Sequence, residues 1–574
     1  MSLISITIND KKLQVEEGTT ILEAAKLLNI FIPTLCHMNL HNGVEHNPGS
    51  CRVCVVEVEG RRNLAPACNT VINEGMVVKT SSIKAITSRR TVVELLLSDH
   101  PQDCLLCEKN TFCELQKLAA DMGIREMKYK GAMSTFPKDF SSSSIERNLD
   151  KCILCRRCVT VCSKIQTVSV LSPINRGFNT IISPAFGMPM IETNCTFCGQ
   201  CVSVCPTGAL TEVNNTEKVW SAINNNEKFV IVQTAPAVRA ALGEAFDDND
   251  GKAATGKMVA ALRSLGFDKV FDTNFAADLT IMEEAAELMD RIKNGGRLPM
   301  LTSCCPGWIN FFEHEFTDLL DVPSSCKSPQ QMFGAIAKSY YAKKMNIDPK
   351  NMIVVSVMPC LAKKYEAARE EMHNEVDIVI STRELAKMIK EAGIDFPSLA
   401  DEKFDDFLGE STGAAVLFGV TGGVMEAALR TAYEWITEET LENVEFTTIR
   451  GMEGIREATI QIKDMEVKAA IASGLGNARK LLNKIRSGEA NYHIIEIMAC
   501  PGGCIDGGGQ PYMLGNYDIL KTRANALYEE DRSKTIRKSH ENPAIIELYD
   551  KFLGEPNSDL AHKLLHTHYS CKQC

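Results

Sequence analysis

No run of 18 or more apolar residues occurs, so no segment is expected to span a bilayer. The opening residues, Met1-Ser2-Leu3-Ile4-Ser5-Ile6-Thr7, lack the basic and apolar regions of a secretory leader, and a cytoplasmic location is expected. Basic excess is missing too. The formal net charge of −11 argues against nucleic acid as a partner, because neutralising phosphate needs a basic surface. No Gly-rich phosphate loop follows an apolar strand, so no nucleotide site is expected in this chain. Gly507-Gly508-Gly509 has no such setting and reads as a flexible wrap. What is left is an ordinary globular composition, 45% hydrophobic and 24% charged. Its 574 residues suffice for three or four domains at about 100–200 residues each.

Cysteine, by contrast, is abundant: 23 residues, 15 of them up to Cys205 and closely spaced. Disulfides are rare in the cytosol, so dense thiols there read as metal ligands or redox groups. The strongest pattern is a repeat, Cys152-x2-Cys155-x2-Cys158-x3-Cys162 followed by Cys195-x2-Cys198-x2-Cys201-x3-Cys205-Pro206. In such pairs each fourth cysteine crosses to the other cubane 4Fe–4S cluster. The spacing therefore assigns Cys152, Cys155, Cys158 and Cys205 to one cluster and Cys195, Cys198, Cys201 and Cys162 to the other. Two zinc knuckles are the alternative.

Upstream, Ser5–Ile8 and Lys12–Val15 flank an Asn9-Asp10 turn, and Thr19-Thr20 precede a helical pattern reaching Leu28. On this β-rich module Cys36, Cys51, Cys54 and Cys68 suggest a 2Fe–2S site, with structural zinc as the alternative. A helical stretch over Ile86–Leu97 leads into His100, Cys104, Cys107 and Cys113. That set is common for zinc, but between two iron–sulfur modules it reads as a 4Fe–4S cluster with one imidazole ligand.

From about residue 215 buried-strand candidates (229–232, 352–355, 493–497) alternate with helical patterns (280–293, 422–433), which implies mostly parallel sheets. Cys304-Cys305, Cys360 and Cys500-x3-Cys504 directly follow apolar runs. Ligands of open α/β sheets bind beyond the carboxyl ends of strands, so five thiols point to one metal-binding crevice.

The segments carrying them, Thr302–Trp308 (TSCCPGW), Met358–Glu366 (MPCLAKKYE) and Met498–Cys504 (MACPGGC), resemble the three signatures of the FeFe, or iron-only, hydrogenases. The upstream modules resemble those of that family's larger members, so the likeness covers nearly the whole chain. The gap from Cys36 to Cys51 is longer than usual there, which affects a loop rather than the ligand set. The resemblance implies a multidomain α/β fold. Its parts are a β-grasp 2Fe–2S ferredoxin-like domain (1–80), a small 4Fe–4S domain ligated by one histidine and three cysteines (81–125) and a two-cluster ferredoxin domain (140–214). A large α/β domain with mostly parallel sheets (215–530) and a C-terminal extension with a CxxC tail (531–574) complete it. It also implies that Cys305, Cys360, Cys500 and Cys504 hold a 4Fe–4S cubane, Cys504 bridging to a two-iron unit with CO, cyanide and a dithiolate. This H-cluster would reversibly reduce protons to H2 and would need dedicated maturation proteins.

For the same family likeness Cys304, Glu284, Ser324 and Glu287 form a proton path, and Lys363 donates to a cyanide ligand. Spacing alone places Glu284 and Glu287 on one helix face, where a solvated pair is the commoner outcome. Glu283 and Lys364 are expected at the surface. Met358, Met498 and Phe418 suit an apolar wall or plain core packing, and Ala235 and Pro236 suit the same pocket. Cys326 reads as a small buried hydrophobe. Cys571-x2-Cys574 is half a metal site, a redox dithiol or an unused tail. The basic run Arg532, Lys534, Arg537 and Lys538 could receive an acidic carrier, though a solvated or clamping segment is the commoner outcome.

Two further classes compete with the enzyme. The first 214 residues also resemble the front of the large iron–sulfur subunit of respiratory complex I, an electron-transfer part. An iron–sulfur assembly or sensor relative would keep the cubane cysteines without the chemistry. Val232–Arg239 and Gly177–Pro189 resemble catalytic subunits of NAD(P)-linked multi-subunit hydrogenases more than stand-alone ferredoxin-linked ones. The expected partners are therefore ferredoxin and/or flavin- and iron–sulfur-containing subunits that react with NAD(P).

Overall fold

The computed structural model describes residues 2–248, 251–463 and 465–572. Cys574 lies outside them. The first module is a mixed five-stranded sheet crossed by one helix. Strands β1 (Leu3–Ile8) and β2 (Lys11–Glu16) pair antiparallel through a turn whose Asn9 and Asp10 both have positive φ, +46° and +66°. That backbone follows the right-handed twist of the strands. Helix α1 (Ile21–Leu27) starts at a reciprocal cap, Thr20 with Glu23, as the Thr-x-x-Glu pattern favours. Strands β3 (Val55–Val58), β4 (Ala65–Pro66) and β5 (Met76–Lys79) complete the order β2-β1-β5-β3-β4, with β1 and β5 parallel. Ile6, Ile8, Ile21, Leu22, Val56 and Val78 form its core.

Helix α2 (Ile83–Ser98) leads to the His100–Cys113 loop, and α3 (Glu114–Asp121) follows it. In the two-cluster repeat the backbone repeats as the sequence does. Leu154 and Phe197 both have left-handed φ (+53° and +52°), as do Arg156 and Gly199 (+63° and +77°). Those turns curl each tight loop around a common centre. A short antiparallel pair, 145–147 with 210–212, closes the module's ends.

The large domain holds two four-stranded sheets. The first is wholly parallel: β6 (Phe229–Thr234), β7 (Lys269–Asp272), β9 (Met352–Met358) and β10 (Ile378–Ser381), in the order β7-β6-β9-β10. The second runs β8-β13-β12-β11, from β8 (Met300–Leu301), β11 (Ile455–Ile462), β12 (Met465–Ser473) and β13 (Ile494–Met498). Only β11 is antiparallel to its neighbour. Helix α4 (Thr273–Asn294) follows β7 and starts seven residues before the periodic pattern does. Every residue from Thr273 to Ala285 is buried, so this end has no polar face to mark it.

One expectation is corrected here. Gly507-Gly508-Gly509 is a tight seam rather than a flexible wrap: a Cβ on Gly507 would fall 2.1 Å from the Pro359 carbonyl, and one on Gly508 2.4 Å from that of Cys198. At Arg532, Arg537 and Lys538 the basic run takes the clamping outcome offered for it. Arg537 pairs with Asp531 (2.6 Å), Lys538 with Glu434 (2.5 Å) and Arg532 with Glu445 (3.2 Å).

Candidate functional site

The carboxyl ends of both sheets meet at one place. Ala235 and Pro236 follow β6, Cys304 and Cys305 follow β8, Cys360 follows β9, and Cys500 and Cys504 follow β13. Between them lies a cavity with about 610 Å³ of unfilled space. Ala235, Pro236, Cys304, Cys305, Cys360 and Cys504 line it, with Met358, Phe418 and Met498 as an apolar wall. Lys363 and Gln330 supply polar atoms. Gln330 escaped the sequence reading because it stands in an unremarkable helix start; its buried Oε1 has no partner.

The thiols are buried and close enough to oppose one another's ionisation. Burial first, then Cys305 and Cys504, push Cys360 up; burial and Cys305 push Cys504 up to about 12. Cys500 is raised by burial, then by Asp506, Cys360, Cys198 and Cys305. Closely set buried thiols that resist ionisation are thiolates only where positive charge joins them. Among the described residues no three of the cysteine sulfurs lie within 4.8 Å of one another. That is too open for one zinc ion at about 2.3 Å per bond and leaves room for a cluster. The residues present thus fit an iron–sulfur group.

Lys363 is buried and aimed inward: Nζ donates to the Cys304 carbonyl at 3.0 Å and pairs with Glu366 at 3.0 Å. Burial opposes its charge, but Glu366 and Cys304 carry the net shift upward. Ser328 (2.9 Å) and Gln330 (3.1 Å) fix Glu366. Lys364, expected at the surface, is buried too and pairs with Glu384 at 2.6 Å. It follows Lys363 into the same short helix, both of whose faces are packed.

On α4, Glu284 is 1% exposed. Burial and then the charge of Glu287 push it up to about 8. Its Oε1 lies 3.4 Å from Ser303 Oγ, while Oε2 is unpartnered. One turn on, Glu287 accepts from Ser324 Oγ at 2.8 Å and pairs with Arg291 at 2.6 Å. Ser324 is fully buried. Cys304, buried at the cavity, has its ionisation opposed first by burial and next by the charge of Glu284. The structure therefore brings Cys304, Glu284, Ser324 and Glu287 together. Glu283, expected at the surface, is fully buried and meets His566 (3.0 Å), Tyr549 and the Asn557 amide. Its three partners lie about 270 residues on in the chain, where no local pattern signals them. Cys326 is buried as expected, 3.9 Å from Glu287.

The upstream cysteines gather in sets. One cavity is lined by Cys152, Cys155, Cys158 and Cys205, a second by Cys162, Cys195, Cys198 and Cys201. In the first module Cys54 and Cys68 sulfurs are 3.3 Å apart, and the Cys51 thiol hydrogen-bonds to the Cys36 sulfur. Hydrogen bonds from Cys51 and Cys68 lower Cys36 to about 5 and Cys54 to about 7. Cys104 and Cys107 both bear on Cys113, and buried His100 leaves Nδ1 unpartnered. The sets adjoin. A Cβ on Gly208, three residues past Cys205, would fall 2.7 Å from Cys107 Sγ, and Cys198 bears on Cys500.

Chained cysteine sites opening on a buried acid–base cavity define an iron–sulfur oxidoreductase. Residues 228–508 match the family described as iron only hydrogenase large subunit, C-terminal domain, and 517–572 match iron hydrogenase small subunit. A 2Fe–2S binding domain (2–82), an NADH-ubiquinone oxidoreductase-G iron–sulfur binding region (89–128) and a 4Fe–4S dicluster domain (151–209) match upstream. The NADP-reducing hydrogenase subunit HndD of Solidesulfovibrio fructosivorans is 59% identical over the full length of both chains. Iron hydrogenase 1 of Clostridium pasteurianum is 43% identical over 98% of this chain and 99% of its own. The solved apo FeFe-hydrogenase HydA1 of Chlamydomonas reinhardtii, in a cysteine-to-histidine variant, superposes with a TM-score of 0.56 at 43% identity, covering 62% of this chain and 99% of that one. The chain belongs to the FeFe hydrogenase large subunits and carries N-terminal iron–sulfur domains. It is a hydrogenase.

Proposed function

We propose that this chain interconverts 2 H⁺ and 2 e⁻ with H2 at an H-cluster held by Cys305, Cys360, Cys500 and Cys504. The observation carrying this reading is the convergence of four thiols from both sheets, Cys304, Cys305, Cys360 and Cys504, on one apolar-walled cavity with Cys500 close behind, beside a buried lysine and a raised glutamic acid. When bound, the group supplies an open iron position and a basic dithiolate. Cys304, at the cavity wall on the side of Glu284, would hold or pass a proton there, a thiol being able to donate and accept. From Glu284 the path would run by way of Ser324 to the half-buried pair of Glu287 and Arg291. Lys363, fixed by Glu366, offers a charge-assisted hydrogen bond to anionic cyanide. Met358, Met498, Phe418, Ala235 and Pro236 keep water out.

Cys36, Cys51, Cys54 and Cys68 would hold one 2Fe–2S cluster, and three further sets would hold 4Fe–4S clusters, supplying an electron route to the cavity. The first 4Fe–4S cluster is on His100, Cys104, Cys107 and Cys113, the other two on the crossed sets of the repeat. The domain limits follow the five parts given above, and the CxxC tail is given no role. The relative's name, an NADP-reducing hydrogenase subunit, supports a cytoplasmic assembly with flavin- and iron–sulfur-containing NAD(P)-reacting subunits. Ferredoxin is the other donor the clusters suit, and maturation proteins install the two-iron unit. Co-expression with those proteins and assay of H2 release from a reduced viologen tests the reading. Turnover is expected. A matured, iron-replete chain that relays electrons but releases no H2 points instead to the electron-transfer or assembly class.

A further inference from the structure

The proton path proposed above ends at Glu287, and a second buried pair stands against that end. His566 Nε2 lies 3.0 Å from Glu283 Oε2, while its Nδ1 lies 2.8 Å from Ser325 Oγ. Ser325 Oγ is in turn 3.4 Å from Glu287 Oε2. Glu283 accepts from Tyr549 and from the Asn557 amide, so it is a fully satisfied carboxylate in the interior. Nε2 faces that carboxylate and must therefore carry a proton. Nδ1 is free to carry one or not.

Ser325 has one hydroxyl proton and two claimants, Glu287 and His566. A doubly protonated ring donates from Nδ1 to Ser325, which leaves the hydroxyl proton for Glu287. A neutral ring accepts that proton, and Glu287 loses a donor. The other groups facing this corner are Arg291 and Glu284 from α4, the Cys326 thiol, the Ser324 hydroxyl and Tyr569, whose phenol donates to the Ser324 carbonyl at 2.7 Å. His562, exposed, stacks on His566 at 4.1 Å. None of them gives the ring another hydrogen-bond partner, so its state is read out through Ser325.

We propose that His566, oriented by buried Glu283, is a positioning residue of the proton relay, turning the Ser325 hydroxyl toward or away from Glu287 according to its own protonation. This rests on the hydrogenase reading and on Glu287 as the relay's outer carboxyl. The C-terminal segment, which matches the small-subunit family, thereby contributes to proton traffic as well as to packing.

The test uses the matured full chain with S325A, H566Q and E287Q. S325A leaves the His566–Glu283 pair intact and removes only the hydroxyl. In both S325A and H566Q the pH profile of H2 release is expected to lose one ionisation, with turnover down about tenfold and a larger D2O effect. In chain carrying its clusters but not the two-iron unit, the infrared carboxyl band of Glu287, assigned by its loss in E287Q, should move in S325A because one of its donors is gone. Parent-like pH profiles and bands in S325A overturn the proposal, even if H566Q lowers the melting temperature by loosening the C-terminal segment. Parent-like turnover in E287Q sinks the relay reading itself, a result distinct from the first.

Discussion

Glu284 owes its high proton affinity to burial and to a like charge one turn away. Raised from 4.5 to about 8, it is protonated when folded and ionised when unfolded across that interval. The stability it lends is complete below about pH 4.5 and is lost as pH rises through about 8, because unfolding then releases a proton. Glu284→Gln should flatten the fall in melting temperature between those limits while cutting H2 turnover about 10²–10⁴-fold, the usual worth of a positioned acid–base group. Thermal unfolding across pH and a viologen assay check the two halves separately. Glu366→Gln removes the partner that holds Lys363. It should lower activity about 10–100-fold, as loss of an outer partner at a metal site does, with accessory-cluster EPR unchanged. At this scale the cysteines were legible because cluster ligation needs short fixed spacings. Glu283 and Lys364 were not, because their burial comes from His566, Tyr549 and Glu384, far away in the chain.

Among elements, the decisive feature is that β6, β8, β9 and β13 end at the same crevice although they belong to two sheets. The apolar runs foretold the strands and their parallel pairing; periodicity carries no information on how two sheets are set against each other. Helix α4 was half legible, its polar C-terminal half showing a period and its buried start none. The seam at Gly507–Gly509 was misread because a glycine run serves equally for looseness and for close approach. Gly508→Ala drives a methyl against the Cys198 carbonyl and Gly199 Cα. It should cost about 1–3 kcal/mol by thermal unfolding and shift the EPR signal of the cluster proposed on Cys195, Cys198, Cys201 and Cys162.

Across the whole molecule, Arg157 ties three modules. It sits beside Cys158, pairs with Glu114 at 2.6 Å and donates to the carbonyls of Cys36 (3.4 Å) and His37 (3.3 Å). Arg157→Gln should slow H2-driven reduction of the 2Fe–2S cluster, followed by rapid-freeze EPR, and leave H/D exchange at the cavity intact. Exchange lost in parallel would show that the residue supports the fold rather than the wire. The claim on which all this depends is that Cys305, Cys360, Cys500 and Cys504 jointly hold one composite iron centre. Infrared spectroscopy of the matured protein tests it most directly. The account predicts sharp bands from iron-bound CO and cyanide that vanish in Cys504→Ser; an iron-replete protein with no such bands, or with bands indifferent to that substitution, contradicts it.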